Sequence, residues 1–319
     1  MPLEIEYESS GFAAGGPVPN GPGTLSTSWD DLLWAALTVG RPNRQYVFGY
    51  GTPSIYEAIF RLSLVRMALE QRGPSGTRLW RTQAARTLDP SEKGAVNYFL
   101  GLTVCKLFAD RLLRAPWMLH LDVYRPMLNP VLSGRSRPDL VGQTTGGQWV
   151  ALECKGRLSP PDANARTNAK RQARQIVSVN GAAPNFNVGG ISFFRADVLR
   201  FFWIDPQPSS RGKRSVEIKV EPADWRFYYL PVLDLIRSQP DVFERMRDAP
   251  TLMEVREADI QIGIHPLVLR SLVDENWEEA RHRGQAVGAE VSELLYRSDG
   301  LAVLAGESWS RPYADEGKG

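Results

Sequence analysis

Arg137-Pro-Asp-Leu-Val-Gly142, followed by Trp149-Val-Ala-Leu-Glu-Cys-Lys-Gly-Arg157, is the stretch on which the fold turns. Both halves are short, apolar and β-prone, and Thr144, Thr145, Gly146 and Gly147 between them have the composition of a hairpin loop. Antiparallel pairing about that loop places Asp139 opposite Leu152 or Glu153. Side chains alternate along a strand, so Glu153 and Lys155 share a face while Cys154 points the other way, into the core. Two carboxylates and an amine then converge from two strands. Such carboxylates repel and raise one another's pKa, and a half-buried sheet tolerates the pair only if positive charge joins them. A divalent cation supplies that charge. Mg2+, with Mn2+ as a substitute, takes a few carboxylate oxygens, retained waters and phosphate oxygens, so Asp139, Glu153 and the backbone carbonyl of Cys154 are its candidate ligands. Lys155 is placed to orient a water or to stabilise charge developing on a phosphate. The chemistry expected is hydrolysis of a phosphodiester.

Working outward, Asp89 caps a helix that Pro90 opens and Glu92 closes as a capping box. Val96, Phe99, Leu100, Val104, Leu107 and Phe108 recur along it at helical spacing, and Pro116 stops it after about Arg114. Trp117 to Tyr124, Pro138 to Gln143 and Gln148 to Lys155 read as a three-stranded meander. His120 and Asp122 share a face of the first strand and read as a structural pair. Asp162 to Val179 returns to helical spacing, and Val188 to Phe194 and Val198 to Ile204 read as two further strands. The order helix, three strands, helix, strand predicts an α/β sandwich with a mixed sheet over residues 89–205.

Upstream, residues 1–27 are crowded with glycine and proline from Gly11 to Gly23 and read as a flexible arm. Residues 28–88 read as a helical layer, with Ser28 capping one helix and Thr52 and Pro53 starting a second that ends at Gly73. Downstream, Pro206 to Arg214 loses hydrophobic periodicity and marks a boundary. Residues 206–319 read as a smaller α+β region of unknown role. In it Ile260, Ile262 and Ile264 alternate as a strand, Glu275 to Arg297 is helical, and Leu301 to Ala305 forms a last strand.

The meander and its flanking helices resemble the PD-(D/E)xK nuclease superfamily, the restriction-endonuclease-like fold, through Pro138-Asp139 and Glu153-Cys154-Lys155. The resemblance covers about Asp89 to Asp205. It implies one or two magnesium ions, with Asp139, Glu153 and Lys155 in the active site. Many members place a glutamate in the first core helix, for which Glu92 is the nearest match here, although the capping box already accounts for it. Gln172 and Gln175 answer to the glutamine or basic residue of the second helix. The resemblance also implies a DNA endonuclease in bacterial defence, repair or mobile-element processing, with RNA left open as a substrate. The rival reading is a non-catalytic, nuclease-like module that binds nucleic acid or scaffolds a larger complex, and a homo-oligomer or protein partner is compatible with either.

Charge along the chain adds a candidate nucleic-acid surface. Lys155, Arg157, Arg166, Lys170, Arg171 and Arg174 face only Asp162 as a local counter-charge, and Arg166, Lys170 and Arg174 step by four along one helical stripe. Such a row binds a phosphate backbone, with Arg171, Gln172 and Gln175 beside it. The remaining composition is exclusionary. Two cysteines and three histidines, scattered through 319 residues, do not build a zinc cage, and the cysteines read as reduced core residues. Apolar runs such as Trp34 to Leu37 fall far short of the roughly 20 residues that span a bilayer, and the first ten residues lack a secretory pattern. A cytoplasmic location with no membrane association is the expectation.

Overall fold

A computed structural model describes residues 2–39, 53–72, 76–121, 131–132, 138–205, 216–289 and 296–311. The chain opens as a hairpin, β1 (Leu3–Ser10) and β2 (Gly21–Thr27), in which Leu3 and Ile5 alternate into the core. Its connection leaves β1 through Gly11, whose φ is 77° and where an added Cβ would lie 2.6 Å from the Asp205 carbonyl oxygen. Ser28 and Asp31 form the capping box of α1 (Trp29–Thr38). Helix α2 (Pro53–Ala68) runs directly into β3 (Leu69–Arg72), which pairs with β4 (Arg78–Arg81), and a short α3 (Gln83–Thr87) leads to α4 (Pro90–Leu113). The start of α4 is held by the Asp89–Glu92 capping box with Pro90, and its end by Arg114 in a left-handed conformation.

Strands β5 (Trp117–His120), β6 (Val131–Leu132), β7 (Leu140–Gln143) and β8 (Trp149–Gly156) precede α5 (Ala163–Ala173), and β9 (Ile176–Val179), β10 (Phe186–Arg195), β11 (Val198–Ile204) and β12 (Val216–Ile218) follow it. The chain continues through α6 (Arg226–Arg237), α7 (Pro240–Asp248), β13 (Met253–Val255), β14 (Ile260–Ile264), α8 (Pro266–Val273), α9 (Trp277–Ala289) and β15 (Leu301–Ala305). The architecture is α/β around a large mixed sheet of order β2-β1-β4-β11-β10-β8-β7-β5, with β3 beside β4 and with β1 also parallel to β11. Within it β5, β7 and β8 form an antiparallel meander, and β10 lies parallel to β8. Two smaller sheets have the orders β6-β12-β9 and β13-β14-β15.

Paired glycines on β10 show how closely the helices sit on the central strands. A Cβ at Gly190 would lie 2.5 Å from Cys105 Sγ of α4, and one at Gly189 would lie 2.8 Å from the Ala169 backbone of α5. Adjacent residues of a strand face opposite sides, so α4 covers one face and α5 the other. The C-terminal elements share the main hydrophobic core. Buried Asp299 accepts hydrogen bonds from Trp34 Nε1 (2.8 Å) and Tyr228 Oη (2.5 Å), and Arg297 bridges Asp31 and Asp110. Lys106, fully buried, donates to the Pro116 carbonyl at 2.6 Å.

Several expectations require correction. Residues 1–27 are a sheet-forming hairpin in place of a flexible arm: the glycines and prolines make its connection, while Phe12 and Val18 within that connection are buried. Residues 28–88 include strands as well as helices, because Leu69–Arg72 finds a partner in β4 and ends α2 at Ala68. The helix expected to reach Val179 stops at Ala173; Ile176, Val177 and Val179 are β-branched, and Ile176, Ser178 and Val179 pair with β12. From residue 216 onward the chain carries both helices and strands, and its core is continuous with the rest. Thr52, Gly73, Asp122, Tyr124 and the boundary from Pro206 to Arg214 lie outside the described residues.

Candidate functional site

The hairpin sets the two carboxylates face to face. Leu140 pairs with Leu152, and Asp139 N–H donates to the Leu152 carbonyl at 2.9 Å, so the next step of the register brings Asp139 against Glu153. One carboxylate oxygen of Asp139 accepts the Cys154 N–H at 2.7 Å. A residue's N–H and C=O leave an extended strand on the same side, so the Cys154 carbonyl faces the Asp139 edge as well. Glu153 is 1% exposed. Its Oε1 accepts a hydrogen bond from Lys155 Nζ, while Oε2 is buried with no hydrogen-bond partner among the described residues. Burial, and then the charge of Asp139, pushes the Glu153 carboxyl from 4.5 up to about 8 against the pull of Lys155. Cys154 turns to the opposite face, where burial and the adjoining Cys105 thiol hold its own thiol well above the usual range.

On the Glu153 face, α5 rests Ala165 and Ala169 over Ile191 and Phe202. Beside it opens a cleft of about 260 Å³ bounded by Lys155, Arg157, Ala165, Asn168, Arg171, Gln172 and Ile191. Asp162 caps α5 by accepting the Ala165 N–H at 2.7 Å, and this fixes where each helical side chain emerges. At about 100° per residue, Asn168, Arg171 and Gln172 leave one flank of the helix and Arg166, Lys170 and Arg174 the other. The structure therefore divides the expected basic surface. Arg157, Arg171 and Gln172 join Lys155 at the cleft, whereas Arg166 turns to the far side, pairing with Glu8 at 3.3 Å and lying 4.2 Å over the Phe202 ring. The sequence offers Arg166 only Asp162 as a local counter-charge; the fold adds Glu8 from a distant strand. Gln175 lies beyond the end of the helix and is buried.

Glu92 belongs elsewhere. Its carboxylate accepts the Asp89 N–H at 3.3 Å as part of the exposed helix cap, more than a turn before the part of α4 that crosses β8 at Gly101. Expected as a tentative ligand, it does not join Asp139 and Glu153. Two neighbours escaped the sequence reading. Asn168 lies four residues before Gln172, a spacing that could have revealed it. Tyr98, half-exposed on α4, hydrogen-bonds His120 Nε2 at 3.2 Å; burial, then Asp139, Cys154 and Glu153, push its phenol up to about 12. Only folding brings Tyr98 there.

The donors suit a hard cation to a definite extent. Among the described residues no three His, Cys, Asp or Glu side chains gather to hold a metal ion, so the set consists of Asp139, Glu153 and the Cys154 carbonyl. Two carboxylates suffice for Mg2+ when waters and phosphate oxygens complete its shell, and the unpartnered Glu153 Oε2 is an acceptor lacking its complement. No described helix is long and apolar enough to cross a membrane. No family model, curated protein or solved structure matches this chain.

Proposed function

We propose that the chain is a metal-dependent nuclease of the PD-(D/E)xK, restriction-endonuclease-like type, acting on DNA. The observation that carries the reading is Glu153: a carboxylate 1% exposed, set against Asp139, with one oxygen on Lys155 and the other without a hydrogen-bond partner among the described residues, at the edge of a basic cleft. Burying one carboxylate beside another is costly, and costs of this kind concentrate at functional sites, which supports the reading. The succession α4, the β5-β7-β8 meander, α5 and β10 supports the fold assignment, with β6 and β9 as additions that belong to another sheet.

In this reading Asp139, Glu153 and the Cys154 carbonyl hold Mg2+ or Mn2+. A bound divalent cation would supply Lewis acidity toward a phosphate oxygen and acidify a water. Lys155, tethered by Glu153, directs its ammonium toward the phosphate and stabilises charge that develops there. Arg157 and Arg171 position the phosphate backbone, and Gln172 offers a neutral donor beside them. Tyr98 and His120 brace the opposite side of the strand ends.

Purified protein is expected to cleave DNA with Mg2+ or Mn2+ and to be silent in chelator. Asp139→Ala and Glu153→Ala should each abolish cleavage, and Lys155→Ala should retain metal binding while losing most of the rate. Undiminished cleavage by Glu153→Ala would sink the assignment. A non-catalytic reading draws on the absence of a third acidic group among the described residues. DNA binding without cleavage under every metal condition would favour it.

A further inference from the structure

One cross-strand row passes beneath α5 and changes sign from end to end. Lys155 of β8 pairs with Ile191 of β10, Ile191 with Phe202 of β11, and Phe202 with Glu8 of β1. Helix α5 sits over the two middle residues, Ile191 and Phe202, through Ala165 and Ala169. Lys155 therefore emerges on one side of the helix and Glu8 on the other, three strand spacings or about 14 Å apart.

The two sides offer a polyanion different surfaces. On the Lys155 side, Arg171 rests on a neutral amide, Asn168 Oδ1, at 3.0 Å, and Arg157 has Asp162 only at 3.9 Å. Both keep donors for phosphate. On the other side Glu4, Glu6 and Glu8 alternate onto the same face of β1. Glu6 holds Arg78 and Arg200, and Glu8 holds Arg166 at 3.3 Å. Arg78, Arg166 and Arg200 are thus already matched by carboxylates, and the strand that supplies those carboxylates belongs to the N-terminal hairpin.

We infer that DNA reaches the carboxylates along the Arg157–Arg171 flank of α5 alone, and that the glutamates of β1 form an electrostatic wall that closes the Arg166 flank. This rests on the nuclease reading, which brings DNA to the cleft. A free Arg166 would be a phosphate anchor like Arg171; Glu8 neutralises it and adds repulsion beyond it.

The test is the salt dependence of binding to a short fluorescein-labelled DNA duplex, measured by anisotropy in chelator so that nothing is cut. Arg157→Ala and Arg171→Ala should each flatten the plot of log K against log salt by about 0.9, the loss of one phosphate contact. Arg166→Ala should leave the slope unchanged. Glu8→Gln should steepen it by up to about 0.9 as Arg166 is released, and Glu8→Gln with Arg166→Ala should restore the wild-type slope. Folding should survive in each case, since these side chains lie at the surface; far-UV circular dichroism and thermal unfolding verify it. If Arg166→Ala flattens the slope as Arg171→Ala does, or Glu8→Gln leaves it unmoved, the wall is overturned while the nuclease reading stands. Absence of DNA binding at every salt concentration overturns both.

Discussion

Replacing Glu153 with glutamine should stabilise the metal-free protein while destroying its activity, and the pH dependence of that gain follows from the site. The carboxyl is raised from 4.5 to about 8 in the folded chain, so between these values the native state holds a proton that the unfolded state has released. The unfolded chain then binds fewer protons, and stability falls as pH rises through this window. Between pH 6 and pH 9 the wild type should lose on the order of 2–3 kcal/mol from this group. Glutamine has no such titration. The bond from Lys155 is charge-assisted only once the carboxyl ionises, and that pull is already contained in the folded value of about 8, so it does not alter the widening. Buried Lys106, held down to about 7, works in the opposite sense, gaining stability as pH rises from 7 towards its ordinary range; it is common to both proteins and cancels in their difference. Urea unfolding of wild type and Glu153→Gln at both pH values, in chelator, measures the effect. The stability gap should move by about 2–3 kcal/mol in favour of the variant. A gap that stays constant from pH 6 to pH 9 would refute the claim that Glu153 is a strained, buried carboxylate. Saturating Mg2+ should then stabilise only the wild type, by binding its native state.

Other perturbations test the scaffold around the site. Gly101→Ala places a Cβ 2.6 Å from Gly156 N and the Lys155 carbonyl carbon; it should cost about 1–3 kcal/mol in chemical unfolding and lower cleavage by displacing Lys155. Asp299→Ala removes the acceptor of Trp34 and Tyr228 far from the cleft, and should cost about 3–5 kcal/mol in urea unfolding while leaving the Mg2+ dependence of cleavage unchanged. Glu92→Ala should loosen the start of α4, with a small fall in thermal midpoint, yet leave metal affinity by calorimetry as in wild type; a lost metal site would restore Glu92 to the ligand set.

What the sequence by itself determined was local. The Asp89 cap, Pro90 and the capping box fixed the start of α4, and turn chemistry at Thr144 to Gly147 brought Asp139 opposite Leu152 or Glu153, because both depend on residues a few positions apart; the fold then chose Glu153. Strand alternation placed Glu153 and Lys155 on one face and Cys154 on the other for the same reason. Tertiary structure decided whatever depended on a distant partner. Leu3–Ser10, expected in a flexible arm, became a strand because β11 offered it an edge, and Leu69–Arg72 and Ile176–Val179 left their helices because β4 and β12 paired with them. The basic helix shows the limit most clearly. Its four-residue stripe was legible, but whether Arg166 faced solvent, phosphate or a carboxylate depended on Glu8, 158 residues away in the chain and beside it only after the sheet had formed.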